Sequence, residues 1–492
     1  MFESAEVGSK VDKKAYAARV PALREQLLAT QRRLAVAPLS VVVVVGGVEG
    51  AGKGEIVNLL LEWMDARGIE THSLWALTDE EKARPPMWRF WRILPPKGHL
   101  GIFLGSWYTQ PIIDRVLGRT RQLELDVALD RMLDFERMLA NENTLVVKLW
   151  LHIGEKTQKR RLEKLESDPD QSWRVTKLDW QFFKYYKRFA RVSEHALRRT
   201  STGETPWHVI EATDWRHRDL TAGTVLLEAL KQRLDKIDAT PPPKLEPDLS
   251  TPKTVSILRA LDLSQKLEDS TADRRLLKSM GEISRQSRRL AEAKRSLLLV
   301  FEGPDAGGKG GAIRRVTRAI DARLYQVVPI SAPTDEELAR PYLWRFWRHL
   351  PTHGRVAIFD RSWYGRVLVE RVEGLCPEED WRRASAEINA FEQQLCEAGT
   401  IVLKFWLWIS PEEQLRRFEN REATVYKQYK ITEDDWRNRK KWDAYEAAAC
   451  EMIEKTSGED APWVAVEADD KNWARCKVLA TVAERMRKEL DR

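Results

Sequence analysis

Cysteine is scarce in this chain of 492 residues. There are four, Cys376, Cys396, Cys450 and Cys476, all in the second half and none in a C-x-x-C pair. That usage speaks against zinc or dithiol chemistry and for the reduced thiols of a cytoplasmic protein. Long apolar runs are also missing: the valine run at 41–45 is far too short to span a bilayer, so no membrane partner is expected. No charged-then-apolar leader opens the chain, which reads against secretion. A basic tail and a nucleic-acid recognition motif are both lacking, and nucleic acid is not expected as a partner. Neither sign of charge dominates. The 82 basic and 75 acidic side chains leave +7 and a pI near 9.0, a mild pull towards anions and no more.

What is present is a soluble composition, 43% hydrophobic and 32% charged, in a chain too long for one ordinary core. Two domains of about 200–250 residues are the natural prior. An internal repeat makes that division concrete. A G-x-x-x-x-G-K pattern starts at Gly47 and again at Gly303, and its lysines, Lys53 and Lys309, stand 256 residues apart. The same offset carries Thr78-Asp79-Glu80-Glu81 onto Thr334-Asp335-Glu336-Glu337, Trp88-Arg89-Phe90-Trp91-Arg92 onto Trp344-Arg345-Phe346-Trp347-Arg348, and Lys148 onto Lys404. Between the copies, the proline-rich stretch 238–252 reads as an extended linker. The expected domains are therefore 1–237 and 253–492.

Within each copy, short β-branched and aromatic runs alternate with amphipathic stretches. In the second copy the runs are 297–301, 356–359, 401–407 and 463–466, with helix-like segments at 311–324 and 381–398. Continuous apolar strands separated by helices predict a parallel sheet covered on both faces. The fold class is α/β: two tandem three-layer domains of the P-loop kinase type.

The glycine loop between a strand and a helix lets backbone N–H groups and Lys309 converge on phosphate oxygens, with Gly303, Gly308 and Gly310 shaping the turn. Gly310 stands where a P-loop has its magnesium-binding Ser or Thr. Asp305 inside the loop is the substitute, and Asp360 at the end of the next apolar strand is a second carboxylate ligand. A turn residue is the alternative reading of Asp305, and a cap that of Asp360. Arg314 and Arg315 on the P-loop helix, with Arg361 and Arg366 beyond Asp360, offer a track for a long anion, since arginine binds phosphate bidentately. An exposed helix face would explain the first two equally. Lys404 sits on an otherwise apolar strand, aimed either into the site or into a buried ion pair. Trp344, Trp347 and Trp363-Tyr364 recur in both copies, which favours core packing.

The run Phe301-Glu302-Gly303 with Asp305-Ala306 and Gly308-Lys309-Gly310-Gly311 resembles the second family of polyphosphate kinases. So do Phe359-Asp360-Arg361-Ser362-Trp363-Tyr364-Gly365-Arg366 and Val369-Glu370-Arg371-Val372. The duplicated arrangement, covering nearly the whole chain, is similar to the class that phosphorylates AMP. The resemblance implies a Mg2+-dependent transfer from inorganic polyphosphate to AMP, giving ADP and a chain one phosphate shorter. It also implies a mobile helical lid, in which Arg417, Arg421 and Lys430 match basic positions that close on the phosphates; a solvated charged helix is the alternative. Lys309 and Arg361 are then expected to stabilise the transferring group, Asp305 and Asp360 to hold the metal, and Glu370 to meet the nucleotide or simply face solvent. Homo-oligomerisation stays open.

The first copy departs where it matters. Asp360-Arg361 is Leu104-Gly105, Arg366 is Gln110, Gly311 is Glu55, and Glu49 stands for Asp305. This half is expected to be inactive or nearly so. Three rivals remain: a kinase acting on ADP or GDP, an ordinary ATP-dependent kinase, and a non-enzymatic P-loop binding protein.

Overall fold

The structure, a computed structural model, describes residues 1–241, 243–251 and 257–491, apart from the side chains of Arg174, Leu178, Tyr426, Lys427 and Lys430. Of the expected linker, Pro242 and Pro252 lie outside the described residues, as do Lys253, where the second domain is expected to begin, and Arg492, where it ends.

Each half builds one five-stranded sheet, with every strand pairing parallel. The first holds β1 (Ser40–Gly47), β2 (Ile69–Ser73), β3 (Leu100–Leu104), β4 (Thr144–His152) and β5 (Trp207–Glu211), in the order β2-β3-β1-β4-β5. The second holds β6 (Ser296–Glu302), β7 (Tyr325–Pro329), β8 (Val356–Asp360), β9 (Thr400–Trp408) and β10 (Trp463–Glu467), in the order β7-β8-β6-β9-β10. Register is preserved by the duplication: Val44 pairs with Lys148, and Val300 with Lys404. Parallel strands need long crossovers, and helices on both faces supply them.

Strand alternation sorts the core. In the second half, Leu297, Leu299 and Phe301 pack with residues of the helices Asp269–Arg289, Lys309–Arg318 and Lys471–Leu490. Phe359 instead meets Trp363 at 5.3 Å, and Trp363 meets Phe391 of the helix Glu378–Glu397 at 5.0 Å. Trp347 lies 5.1 Å from Phe391 and is fully buried, as are Trp363 and Tyr364, so these duplicated aromatics belong to the core. The expected strands all form. The helix expected over 311–324 runs instead from Lys309 to Arg318, and β7 goes undetected in the sequence because it is a half-solvated edge strand.

By compactness the chain divides into two units. One comprises Met1–Ala76, Arg89–Pro241 and Pro333–Trp344; the other Leu77–Trp88, Pro242–Ala332 and Arg345–Arg492. Each thus includes one short piece from the opposite half of the sequence, and the two pieces are equivalent in the repeat. Inside the first unit, Lys97 donates its N–H to Ala339 at 2.8 Å; inside the second, His353 donates to Ala83 at 3.0 Å.

Candidate active site

In the second unit β6 ends in the glycine loop, which feeds directly into the helix Lys309–Arg318. A cleft of about 860 Å³ opens over that helix N-terminus. Asp305, Gly308, Lys309, Gly310, Arg314, Asp360, Arg361, Arg417 and Arg421 all line it. The Lys309 ammonium folds back along the loop, donating to the carbonyls of Gly303 at 2.7 Å and Pro304 at 3.1 Å. Burial and the Arg361 charge push that ammonium down from its ordinary value, while Asp305, Asp360 and Glu302 oppose the shift. The result is a pre-placed cation at the mouth of a ring of backbone N–H groups, which is what a phosphoryl group requires.

Two carboxylates face this cation. Asp305 accepts from Arg361 at 2.7 Å and from Asn438 at 2.9 Å, and its backbone carbonyl is held by Gln414 at 3.0 Å. Burial raises the Asp305 carboxyl, but Lys309, Arg361 and the Asn438 bond outweigh it, so the group stays below the usual carboxylate range and ionised. Asp360 lines the same cleft from the end of β8. Beneath the loop Glu302 is buried and accepts from Ser362 at 2.8 Å; burial raises its pKa. Among the described residues, no three His, Cys, Asp or Glu side chains group as a metal cage. A hard divalent cation bridging to phosphate needs only one or two carboxylates and water, so Asp360 with Asp305 fits such an ion.

Two residues here carry unfavourable backbone geometry. Ala306 has φ of 61° and Arg361 of 65°, in the left-handed region that non-glycine residues avoid at a cost of about 1 kcal/mol or more each. Their first-half equivalents, Gly50 and Gly105, take the same turn with φ of 76° and 80° and no such cost.

Other expected positions lie elsewhere. Lys404 is wholly buried: it donates to Glu392 at 2.6 Å, to the Tyr364 hydroxyl at 2.9 Å and to the Thr456 carbonyl at 2.7 Å. The expectation that it touches phosphate is therefore corrected, since all its donors are spent inside the core. Lys148 repeats the arrangement with Glu136 and Thr200, so the duplicated lysine was itself the sign of a structural pair. Lys404→Met should strand the Glu392 charge and destabilise the unit by about 3–5 kcal/mol, read as an earlier unfolding transition. Arg417 reaches the cleft, but it braces the loop through Ala306, Ala468 and Asp469 carbonyls, and Arg161 does the same in the first half. Arg366 is ion-paired with Glu370 at 2.8 Å and with Asp380 at 3.3 Å, and neither Arg366 nor Glu370 lines the cleft. Arg315 donates to Gly311 at 3.2 Å. The side chain of Lys430 lies outside the described residues; its backbone is in the turn Val425–Lys430.

The sequence reading missed several cleft residues: Asn438, Arg437, Lys471 and Arg475. Burial and the charges of Arg315, Arg314 and Arg417 press the Arg475 guanidinium down from its usual value. A crowd of like charges around one opening is a standing attraction for a polyanion. The signal was available in the repeat, because Arg314, Lys471 and Arg475 correspond to Asn58, Trp215 and Asp219. The first unit has also closed its own loop: Lys53 is paired to Glu49 at 2.9 Å, and Arg218 lies against Gly52, held by Asp219.

The family model described as Polyphosphate kinase 2 matches residues 10–238 and 266–492. A protein named polyphosphate:AMP phosphotransferase from Pseudomonas syringae pv. tomato is 50% identical, covering 100% of this chain and 99% of its own length. One of the same name from Pseudomonas aeruginosa is 51% identical, with 98% of each chain covered. A crystal structure titled as a polyphosphate kinase 2 from Pseudomonas aeruginosa superposes with a TM-score of 0.90 at 49% identity, covering 100% of both chains.

Proposed function

The chain belongs to the polyphosphate kinase 2 family, and on that premise we propose that it is a polyphosphate:AMP phosphotransferase working in the cytoplasm through its second domain, 253–492. The single observation that carries the reading is the pairing of the Asp305–Lys309–Asp360–Arg361 set with a cation-lined opening of about 860 Å³. A nucleoside triphosphate needs fewer positive groups than Arg314, Arg416, Arg421, Arg437, Lys471 and Arg475 together supply. A phosphate polymer threading past the loop uses all of them.

In this mechanism the terminal phosphoryl group rests on the loop N–H groups and Lys309. Arg361, held in place by Asp305, meets the charge that spreads over the equatorial oxygens as the bond to the next phosphate loosens. The AMP phosphate is already ionised near neutral pH, so attack needs positioning rather than a strong base. Asp360 and Asp305 would hold Mg2+, which when bound neutralises charge on the phosphate oxygens. The helix Glu433–Lys440, which carries Asn438 onto Asp305, covers the site and limits hydrolysis. The first domain, 1–237, keeps the fold without the reaction.

Purified protein supplied with Mg2+, polyphosphate and AMP, with no ATP present, should form ADP. GMP, ADP and GDP assayed alongside set the acceptor range. Absence of ADP from AMP would overturn the assignment.

A further inference from the structure

The helix Glu433–Lys440 brings Arg437 and Asn438 to the cleft, but it is fastened at a carboxylate that does not line the cleft, Glu373. Glu373 ends the short helix Val369–Glu373, which follows the turn at Arg361, and its side chain is only 8% exposed. Three donors converge on it. Lys441, at the C-terminal cap of the covering helix, donates at 2.9 Å; Arg437 and the Tyr445 hydroxyl each stand at 3.2 Å. That hydroxyl is also 3.2 Å from Asn438 Oδ1, and Asn438 turns its Nδ2 to Asp305 at 2.9 Å. With one proton to give, Tyr445 serves either oxygen, so a polar chain runs from Glu373 through Tyr445 and Asn438 to Asp305.

The repeat shows that the fold does not need this chain. In the first half Glu373 is Leu117, Arg437 is Gln181, Asn438 is Phe182, Lys441 is Tyr185 and Tyr445 is Phe189. The equivalent helix still forms there, as Lys177–Lys184, with Trp180 in the place of Trp436. Every member of the polar chain was thus lost together with Asp360 and Arg361, while the scaffold stayed. Charge explains why the chain can hold a helix in place. A carboxylate as enclosed as Glu373 depends on its cations, and lifting the covering helix would carry Arg437 and Lys441 away from it.

On the reading that this domain passes phosphate from polyphosphate to AMP, we propose that Glu373 is a positioning residue for the transfer. It seats the covering helix and, through Tyr445 and Asn438, orients the Asp305 carboxylate beside Arg361. Asp305 accepts from Arg361 at 2.7 Å and from Asn438 at 2.9 Å, so loosening the second bond frees the carboxylate to turn away from the first. A seated helix also keeps water from the phosphoryl group. Where it is loosened, water takes the place of AMP. The water oxygen bonds to the terminal phosphorus, the P–O bond to the next phosphate breaks, and a proton passes to solvent. The products are orthophosphate and a chain one phosphate shorter.

The test compares Glu373→Gln and Tyr445→Phe with the unaltered full chain, each supplied with Mg2+, polyphosphate and AMP. ADP and orthophosphate are measured in the same reaction, and the unfolding transition on the same preparation. Both variants should form ADP about tenfold or more slowly, because the reacting groups are displaced rather than removed. Orthophosphate released per ADP should rise in both. The double variant should lose little beyond Glu373→Gln, since the two changes cut one chain. Tyr445→Phe keeps the ring and places there the residue type of the first half, so it decides the matter if Glu373→Gln fails to fold. A merely structural residue would lower ADP and orthophosphate together. That outcome, or an unchanged rate and ratio in both variants, overturns the proposal. An unaltered chain that forms no ADP from AMP overturns the functional reading itself, and this inference with it.

Discussion

Asp360→Asn should reduce ADP formation by about 10²–10³-fold or more while leaving the unfolding transition in place, because it deletes a charge aimed at phosphate and metal rather than at the core. The repeat supplies the control. Lys53→Ala, which removes the duplicated loop lysine of the first unit, should leave turnover within about twofold, since that ammonium is spent on Glu49. Lys309→Ala should fall with Asp360→Asn. Steady-state ADP formation from AMP and polyphosphate reads all three. Equal loss in Lys53→Ala and Lys309→Ala would mean that the first loop takes part in the reaction.

Arg361→Gly should separate function from stability. The guanidinium sits beside Asp305 at 2.7 Å and, being half-exposed, faces the cleft. An arginine so placed in phosphoryl transfer is worth about 10³-fold or more. Its backbone, with φ of 65°, is one that glycine adopts freely. Replacement relieves about 1 kcal/mol of strain and gives up a comparable amount through the greater entropy of the unfolded chain, so net stability should move by less than about 1 kcal/mol. Denaturation and turnover measured on the same preparation check the claim. A large loss of stability with little loss of rate would make Arg361 a structural residue. Gly50 and Gly105 make the equivalent turns in the first half with φ of 76° and 80°.

Pattern served well where the chemistry is local to a short stretch. The loop glycines, Lys309 and the Asp360-Arg361 pair are contiguous with the strands that carry them, and the 256-residue offset exposed which of them the first copy lacks. It served less well where a residue's partner lies far along the chain. On its apolar strand Lys404 could be aimed into the site or into a buried ion pair, and only the fold decides: Glu392 and Thr456 enclose it. Asn438 and Arg475 were not singled out by any motif, yet folding brings both to the cleft.

Sequence alone therefore determined the duplication, the parallel α/β class and which half keeps its carboxylate, because each depends on residue identity at a spacing the backbone preserves. The tertiary structure decided which cations meet, which lysine is buried, and what closes the altered loop of the first half. Those depend on packing between segments remote in sequence, where burial and a partner's charge, not the residue type, determine whether a side chain is free to act.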